Sequence, residues 1–308
     1  MAAAAPRRSR VRRVLLGLGV AAGGVLLLEG GANVGILMHD VAVLAEQPLA
    51  ERRHTRHDPE LGWSNTPGVV VRDLYSPGAS VTIDDDGFRA ASAGGGRPRD
   101  GAVRVVCSGD SFTFGYGVGD DDTWPAQLCR LDERLETVNL GLGGYGLDQS
   151  YLRYLRDGAP LPHRVHVLAF VVDDVLRMTS RRFAGYARPW LERTDGAPAV
   201  RGVPVPRDGY DAPWLTQHAY LFRRLGIVQA FGRLGGARAV AGTYEVLTVE
   251  EAADVAWDAV ADLAQAGEPR GVRLVVVVLP TQPDIVANAN DFLRQPLVEA
   301  MRGDGVVV

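Results

Sequence analysis

Three short segments carry the residue types that can do chemistry. The first is Cys107-Ser108-Gly109-Asp110-Ser111-Phe112-Thr113-Phe114-Gly115-Tyr116-Gly117. It directly follows the apolar run 103–107, so Ser111 stands at the carboxyl end of a strand, where open α/β sheets place their sites. Gly109 permits a tight turn, and a serine opening the next helix meets the partial positive charge of its N-terminus, which favours a developing anion. The same Asp-Ser pair also suits an ordinary turn and helix cap. The second segment, Asn139-Leu140-Gly141-Leu142-Gly143-Gly144-Tyr145-Gly146, follows another apolar run. Gly141, Gly143 and Gly146 satisfy Gly-x-Gly-x-x-Gly between a strand and a helix, the dinucleotide fingerprint. That reading wants an acidic residue ~20 positions on, at the end of the next strand; the nearest, Asp157, falls in the apparent loop Asp157-Gly158. The third segment, Val171-Val172-Asp173-Asp174, ends a long apolar stretch.

The elements that must position these segments alternate. Apolar runs of strand length occupy 103–107, 137–140, 165–172 and 272–279, and helical periodicity occupies 123–134 and 147–155. Thr248 with Glu251 forms a capping box that opens a helix over 249–265, and Gly267 ends it. Strands that are apolar throughout are buried on both faces, so the fold class is α/β, with a doubly wound parallel sheet between helical layers. Residues 181–244 form a long insertion, expected to cap the sheet. It holds a hairpin signal at Asp195-Gly196, the Pro-rich piece 203–206 and an amphipathic helix over 214–234. Residues 54–90 are rich in Gly, Pro and Asp, with short β-prone pieces around 69–71 and 81–83; 41–101 reads as an extended lead-in, closed by the breaker cluster 92–101.

The N-terminus is a membrane signal. Arg7, Arg8, Arg10, Arg12 and Arg13 precede the apolar run 14–28, which Glu29 separates from a second apolar stretch, 30–38. A helix over both crosses a ~30 Å hydrocarbon layer, whereas 14–28 alone resembles the apolar part of a cleavable signal. Basic residues on the N-terminal flank keep that end cytoplasmic and send the remainder outside. The expectation is an uncleaved anchor over 1–40.

Composition excludes several classes. With 308 residues, 46% hydrophobic and 23% charged, the chain has material for a real core and is not disordered throughout. A net charge of -4 and a pI near 5.9 lack the basic footprint of a nucleic-acid binder. Cys107 and Cys129 are too few for a disulfide framework and read as buried thiols. His39, His54, His57, His163, His166 and His218 form no metal pattern, and neither a metal nor another cofactor is expected.

The three segments together resemble the SGNH/GDSL hydrolases. In that family the first block is Gly-Asp-Ser, matched by Gly109-Asp110-Ser111, and its serine is the nucleophile. The second block supplies a glycine N–H to the oxyanion, matched by Gly144. The third is Gly-x-Asn-Asp, and here Asp173 replaces the Asn whose side chain donates to the oxyanion. An ionised Asp173 only accepts; it can donate if desolvation keeps it neutral, or it simply caps the next helix. The lead-in pieces His57-Asp58-Pro59-Glu60-Leu61-Gly62-Trp63 and Asp86-Gly87-Phe88-Arg89 are similar to membrane-anchored members. The resemblance covers residues 103–308, read as the hydrolase-like domain 102–308.

What the resemblance implies is acyl-ester chemistry outside the membrane, on a carbohydrate or lipid ester, with Ser111 attacking and the N–H groups of Ser111 and Gly144 holding the oxyanion. The family's C-terminal Asp-x-x-His block, which supplies base and orienter, does not occur in the 308 residues. The expectation is therefore a truncated or a catalytically impaired chain. His218, in the insertion, is the candidate substitute base; His166 reads as a sheet residue and His163 as lying at the wrong strand end. The alternatives are a polysaccharide O-acetyltransferase and a non-catalytic glycan-binding or scaffold protein, whose Tyr186, Trp190, Tyr210 and Trp214 stack on sugars or merely pack.

Overall fold

The computed structural model describes residues 7–44, 53–90, 101–194, 196–211, 245–288 and 290–303. The chain divides into two compact units, one of Met1–Gln47 with Ala212–Ala241 and one of Pro48–Asp211 with Gly242–Val308. The first unit contains helix α1 (Arg7–Leu44). Between residues 12 and 39 its large apolar side chains are mostly exposed, with Leu27 79% and Leu28 77% exposed. Its stretch Arg12–His39, 28 residues, is long and apolar enough to cross a membrane by length and composition, a test that an N-terminal signal sequence also passes.

The second unit is built on four parallel strands: β5 (Val103–Gly109), β6 (Leu135–Asn139), β7 (Val165–Phe170) and β12 (Arg273–Val278). They lie in the order β12-β7-β5-β6. In chain order this is 2-1-3-4, the flavodoxin-like winding, and the direction of winding reverses between β5 and β7. Alternate strand residues serve the two faces. Val106, Leu168, Leu274 and Val276 pack with α4 (Leu147–Arg153), α5 (Val172–Arg177), α6 (Val249–Gly267) and α7 (Asp291–Gly303). Val105, Cys107 and Val167 face the other way, against Trp124 of α3 (Trp124–Leu131). Burial on both faces is the reason these strands read as continuous apolar runs. The expected elements are present with shifted ends: the run 165–172 splits at Val171, because Val172 already opens α5. Thr248 and Glu251 close their capping box, and α6 runs on to Gly267. Cys107 is fully buried, which pushes its thiol pKa well up, whereas Cys129 is only half-buried beside Thr137 Oγ1 at 3.2 Å.

Residues 53–90 are not an extended lead-in. They form two hairpins, β1 (Thr55–Asp58) with β2 (Gly62–Asn65) and β3 (Val70–Val71) with β4 (Val81–Thr82). Leu61, Trp63, Val81 and Ile83 are buried in one cluster with Phe114, Leu142 and Tyr145. Gly, Pro and Asp mark short turns as readily as they mark linkers, and composition alone does not separate the two. The breaker cluster at 92–101 lies outside the described residues except for Gly101. Within the insertion, β8 (Arg182–Phe183) pairs with β9 (Tyr186–Ala187), and β10 (Trp190–Thr194) with β11 (Ala197–Arg201), turning where Gly196 was expected to turn. The helix expected over 214–234 lies outside the described residues.

Candidate active site

Ser111 follows β5 at the reversal point of the sheet. Gly109 is required there by contact: a Cβ would overlap Ala169 O of β7 and the side chain of Thr113. Asp110 then caps α2 (Ser111–Phe114), its Oδ1 accepting the Phe112 N–H at 2.8 Å. The Ser111 hydroxyl donates to Asp110 Oδ2 at 3.3 Å. The cap reading and the reactive-serine reading thus describe the same turn. α2 is only four residues long and ends at Gly115 in the left-handed region, so the helix-terminus field expected at Ser111 is that of a single turn. Ser111 is partly open to solvent, and Phe112 (50%) and Tyr116 (54%) are exposed nearby in the chain.

The second loop is fastened to the first. Asn139, at the end of β6, donates from Nδ2 to Thr113 O at 2.8 Å and accepts the Gly141 N–H at Oδ1, also at 2.8 Å. Gly144 has φ +78°, a left-handed conformation that glycine adopts without strain. Trp63, from the first hairpin, donates its indole N–H to Gly143 O at 3.0 Å, while the Tyr145 hydroxyl donates to Trp63 O at 2.5 Å. Burial raises the Tyr145 pKa, so this hydroxyl stays a donor. Among the described residues, neither the Ser111 nor the Gly144 backbone N–H meets a protein acceptor.

The third segment departs from expectation. Asp173 is exposed rather than buried at the mouth of the strand. The buried carboxyl is Asp174, 1% exposed, whose Oδ2 accepts the Val171 N–H at 3.0 Å. Burial pushes the Asp174 pKa well up, and the neighbouring Asp110 carboxyl adds to the rise, while Arg177 and the Val171 N–H oppose it. Arg177 meets both carboxyls: NH1 donates to Asp110 Oδ2 at 3.3 Å and to Asp174 Oδ1. The same NH1 donates to Tyr145 O at 2.8 Å. Sequence reasoning passed over Arg177, although its i,i+3 spacing from Asp174 on one helix was a usable signal. It also gave Trp63 and Arg89 no role at the site, since nothing local links a hairpin to loops 25 to 80 residues away.

The histidines divide plainly. His166 is a sheet residue, as expected, with Nε2 against Ser108 Oγ at 2.8 Å and its ring stacked on Tyr154. His163 bridges Tyr154 and Leu161, and His57 bonds Val205 O. His54 is buried and stacked on Phe114. No described hydrogen bond joins any of them to Ser111. His218 lies outside the described residues. The dinucleotide alternative fails on contact: a Cβ on Gly141 would overlap Phe114 N, so that loop is closed against α2, and Asp157 is paired with Arg156 rather than placed at a strand end. Among the described residues no group of three or more His, Cys, Asp or Glu could hold a metal ion.

No family model and no curated protein matches the chain. Among solved structures it is similar to a protein assigned to the lipolytic G-D-S-L family from Desulfitobacterium hafniense DCB-2, at 15% identity and TM-score 0.36, over 67% of this chain and 75% of that one. It is also similar to a member of the lipolytic protein G-D-S-L family from Veillonella parvula DSM 2008, at 14% identity and TM-score 0.34, over 67% and 76%. A third is AlinE4, an SGNH-hydrolase family esterase, at 16% identity and TM-score 0.25, over 68% and 96%.

Proposed function

We propose that the chain is a serine acyl-ester hydrolase of the SGNH/GDSL type. The observation that carries this reading is the Ser111 hydroxyl at the sheet's reversal point, with the Ser111 and Gly144 N–H groups free of protein acceptors. Ser111 Oγ attacks an ester carbonyl carbon, the carbonyl electron pair moves to its oxygen, and that oxyanion rests on the two N–H groups. Collapse expels the alcohol and leaves an acyl-serine, which water then cleaves. In the resting site the hydroxyl proton is directed at Asp110 Oδ2, a carboxylate already engaged by Phe112 N and Arg177. A stronger base is needed for rapid turnover, and of the expected residues His218 is the candidate.

The substrate class proposed is a carbohydrate or lipid ester outside the cytoplasmic membrane, with α1 as the anchor and Arg7 to Arg13 on the cytoplasmic side. The commitment of the His57, His163 and His166 rings elsewhere favours one second reading, a non-catalytic glycan-binding protein that keeps the cleft. Fluorophosphonate labelling of the chain beside Ser111→Ala separates the two. Labelling that Ser111→Ala abolishes supports the hydrolase. No labelling, with glycan binding that Ser111→Ala leaves intact, supports the binding protein. Acetate appearing on a glycan acceptor rather than free in solution would make the enzyme an O-acetyltransferase.

A further inference from the structure

The geometry points to Arg177 as the positioning residue that makes one anion site out of two separate loops. The inference rests on reading the Ser111 and Gly144 N–H groups as that site. Each N–H belongs to a different loop, after β5 and after β6, and lies one residue from an Arg177 contact. Asp110, bonded to NH1 at 3.3 Å, precedes Ser111; Tyr145, whose carbonyl accepts from NH1 at 2.8 Å, follows Gly144. A third bond from NH1, to Asp174 Oδ1, fixes the guanidinium to its own helix. The Arg188 side chain in turn donates to the Arg177 carbonyl, so the residue is gripped at both ends.

A second path runs through packing. The Arg177 guanidinium carbon lies 5.2 Å from the Phe183 ring centroid, and Phe183 is the residue a Cβ on Gly144 would strike. Arg177 therefore bears on the Gly144 loop from its carbonyl side and through an aromatic ring. Charge gives the tie a second effect. Asp110 and Asp174 face each other beside the nucleophile, and Arg177 is the described cation bonded to both. Without it, an oxyanion would form beside Asp110 with no cation bonded to that carboxyl. The Arg177 side chain is 21% exposed, so it is only partly buried.

The test uses the full chain in detergent micelles, with 15N-labelled glycine and serine, and inorganic phosphate as a tetrahedral anion probe. The Ser111 and Gly144 amide resonances are expected to shift together with one dissociation constant. Arg177→Gln is expected to weaken that constant at least tenfold and to uncouple the two amides. Arg177→Lys, which keeps a charge and several donors, is expected to restore it to within threefold of the wild type. If Arg177→Gln does not fold, the lysine variant decides: it must still move both amides together. A constant changed less than twofold in Arg177→Gln, a weakening in Arg177→Lys as large as in Arg177→Gln, or wild-type amides that ignore phosphate each overturn the inference. Fluorophosphonate labelling separates this from the reading beneath it. Amides that co-titrate and loosen in Arg177→Gln while Ser111 never labels would sink the hydrolase and leave the tie standing. Labelling at wild-type rate in Arg177→Gln would do the reverse.

Discussion

The ring of Phe183 lies directly on Gly144: a Cβ added to that glycine would fall 2.5 Å from Phe183 Cε1. The residue also sits at φ +78°, so any side chain there is penalised by backbone strain and by overlap with the ring. Gly144→Ala is expected to cost about 1 to 3 kcal/mol of stability and, by displacing the N–H that alanine retains, to slow labelling of Ser111 by up to the ~100-fold that losing an oxyanion donor costs. Phe183→Ala alone keeps the glycine but removes the ring that Arg177 and Gly144 both contact, and should slow labelling by less than Gly144→Ala does. In the double variant the overlap is gone and part of the stability returns. Urea midpoints and labelling rates of the three variants check this.

Arg89 is the peg of the Ser111 turn. Its side chain is fully buried, pairs with Asp120 at 2.8 Å, and donates to Phe114 O at 3.0 Å and Val118 O at 3.0 Å. Burial lowers its pKa, and Asp120 offsets part of that. Arg89→Met fills similar volume but leaves Asp120 with the Thr82 N–H and no cation, and strands the carbonyls of Phe114 and Val118; it is expected to destabilise by about 3 to 5 kcal/mol. Arg89→Lys cannot reproduce the fork and should lose a comparable amount. Equilibrium denaturation measures both; wild-type stability in Arg89→Met would show that the peg is dispensable.

Asp58 makes the stability of the first hairpin depend on pH. Burial alone would raise its pKa, but the N–H groups of Glu60 and Leu61 together with Arg156 outweigh burial and hold it below the usual 3.8. A carboxyl lowered in the fold adds stability that is fully present above pH 3.8 and is lost as pH falls through its lower folded value. Asp58→Asn is therefore expected to cost about 1 to 3 kcal/mol at pH 7. The gap between the variant and the wild type should narrow steadily below about pH 4. A gap independent of pH would assign Asp58 a packing role only.

Helix α1 makes a covalent prediction. If it anchors the protein, intact-mass analysis of the mature protein from its membranes returns the segment Arg12–His39, and extraction needs detergent. A mass lacking that segment, with the protein free in the extracytoplasmic fraction, identifies it as a cleaved signal. Cysteine scanning on either side of the helix with an impermeant thiol reagent tests the orientation proposed from Arg7 to Arg13.

The parallel sheet was legible because its signals are local. Continuous apolar runs such as 165–170 announce strands buried on both faces, and Thr248 with Glu251 announces a helix start within four residues. The Gly109 turn was legible in the same way, since a glycine between an apolar strand and Asp-Ser has few other uses. Residues 53–90 were misjudged because short hairpins and linkers share their turn residues, and only burial of Leu61 and Trp63 tells them apart. In the third segment the sequence does not show which of the two adjacent carboxyls is buried. Asp173 and Asp174 are chemically identical, and only the path of the chain into α5 buries the second and exposes the first.

By itself, then, the sequence determined the four parallel strands, the cap at Thr248, the apolar N-terminal helix and the position of Ser111 at a strand end. The tertiary structure alone decided which distant groups meet there. Arg177 reaches Asp110 across 67 residues and Trp63 reaches Gly143 across 80. Such pairings leave no periodic trace in the chain. They arise because the order β12-β7-β5-β6 brings the ends of β5, β6 and β7 side by side, and that order is set by long-range burial rather than by any local preference.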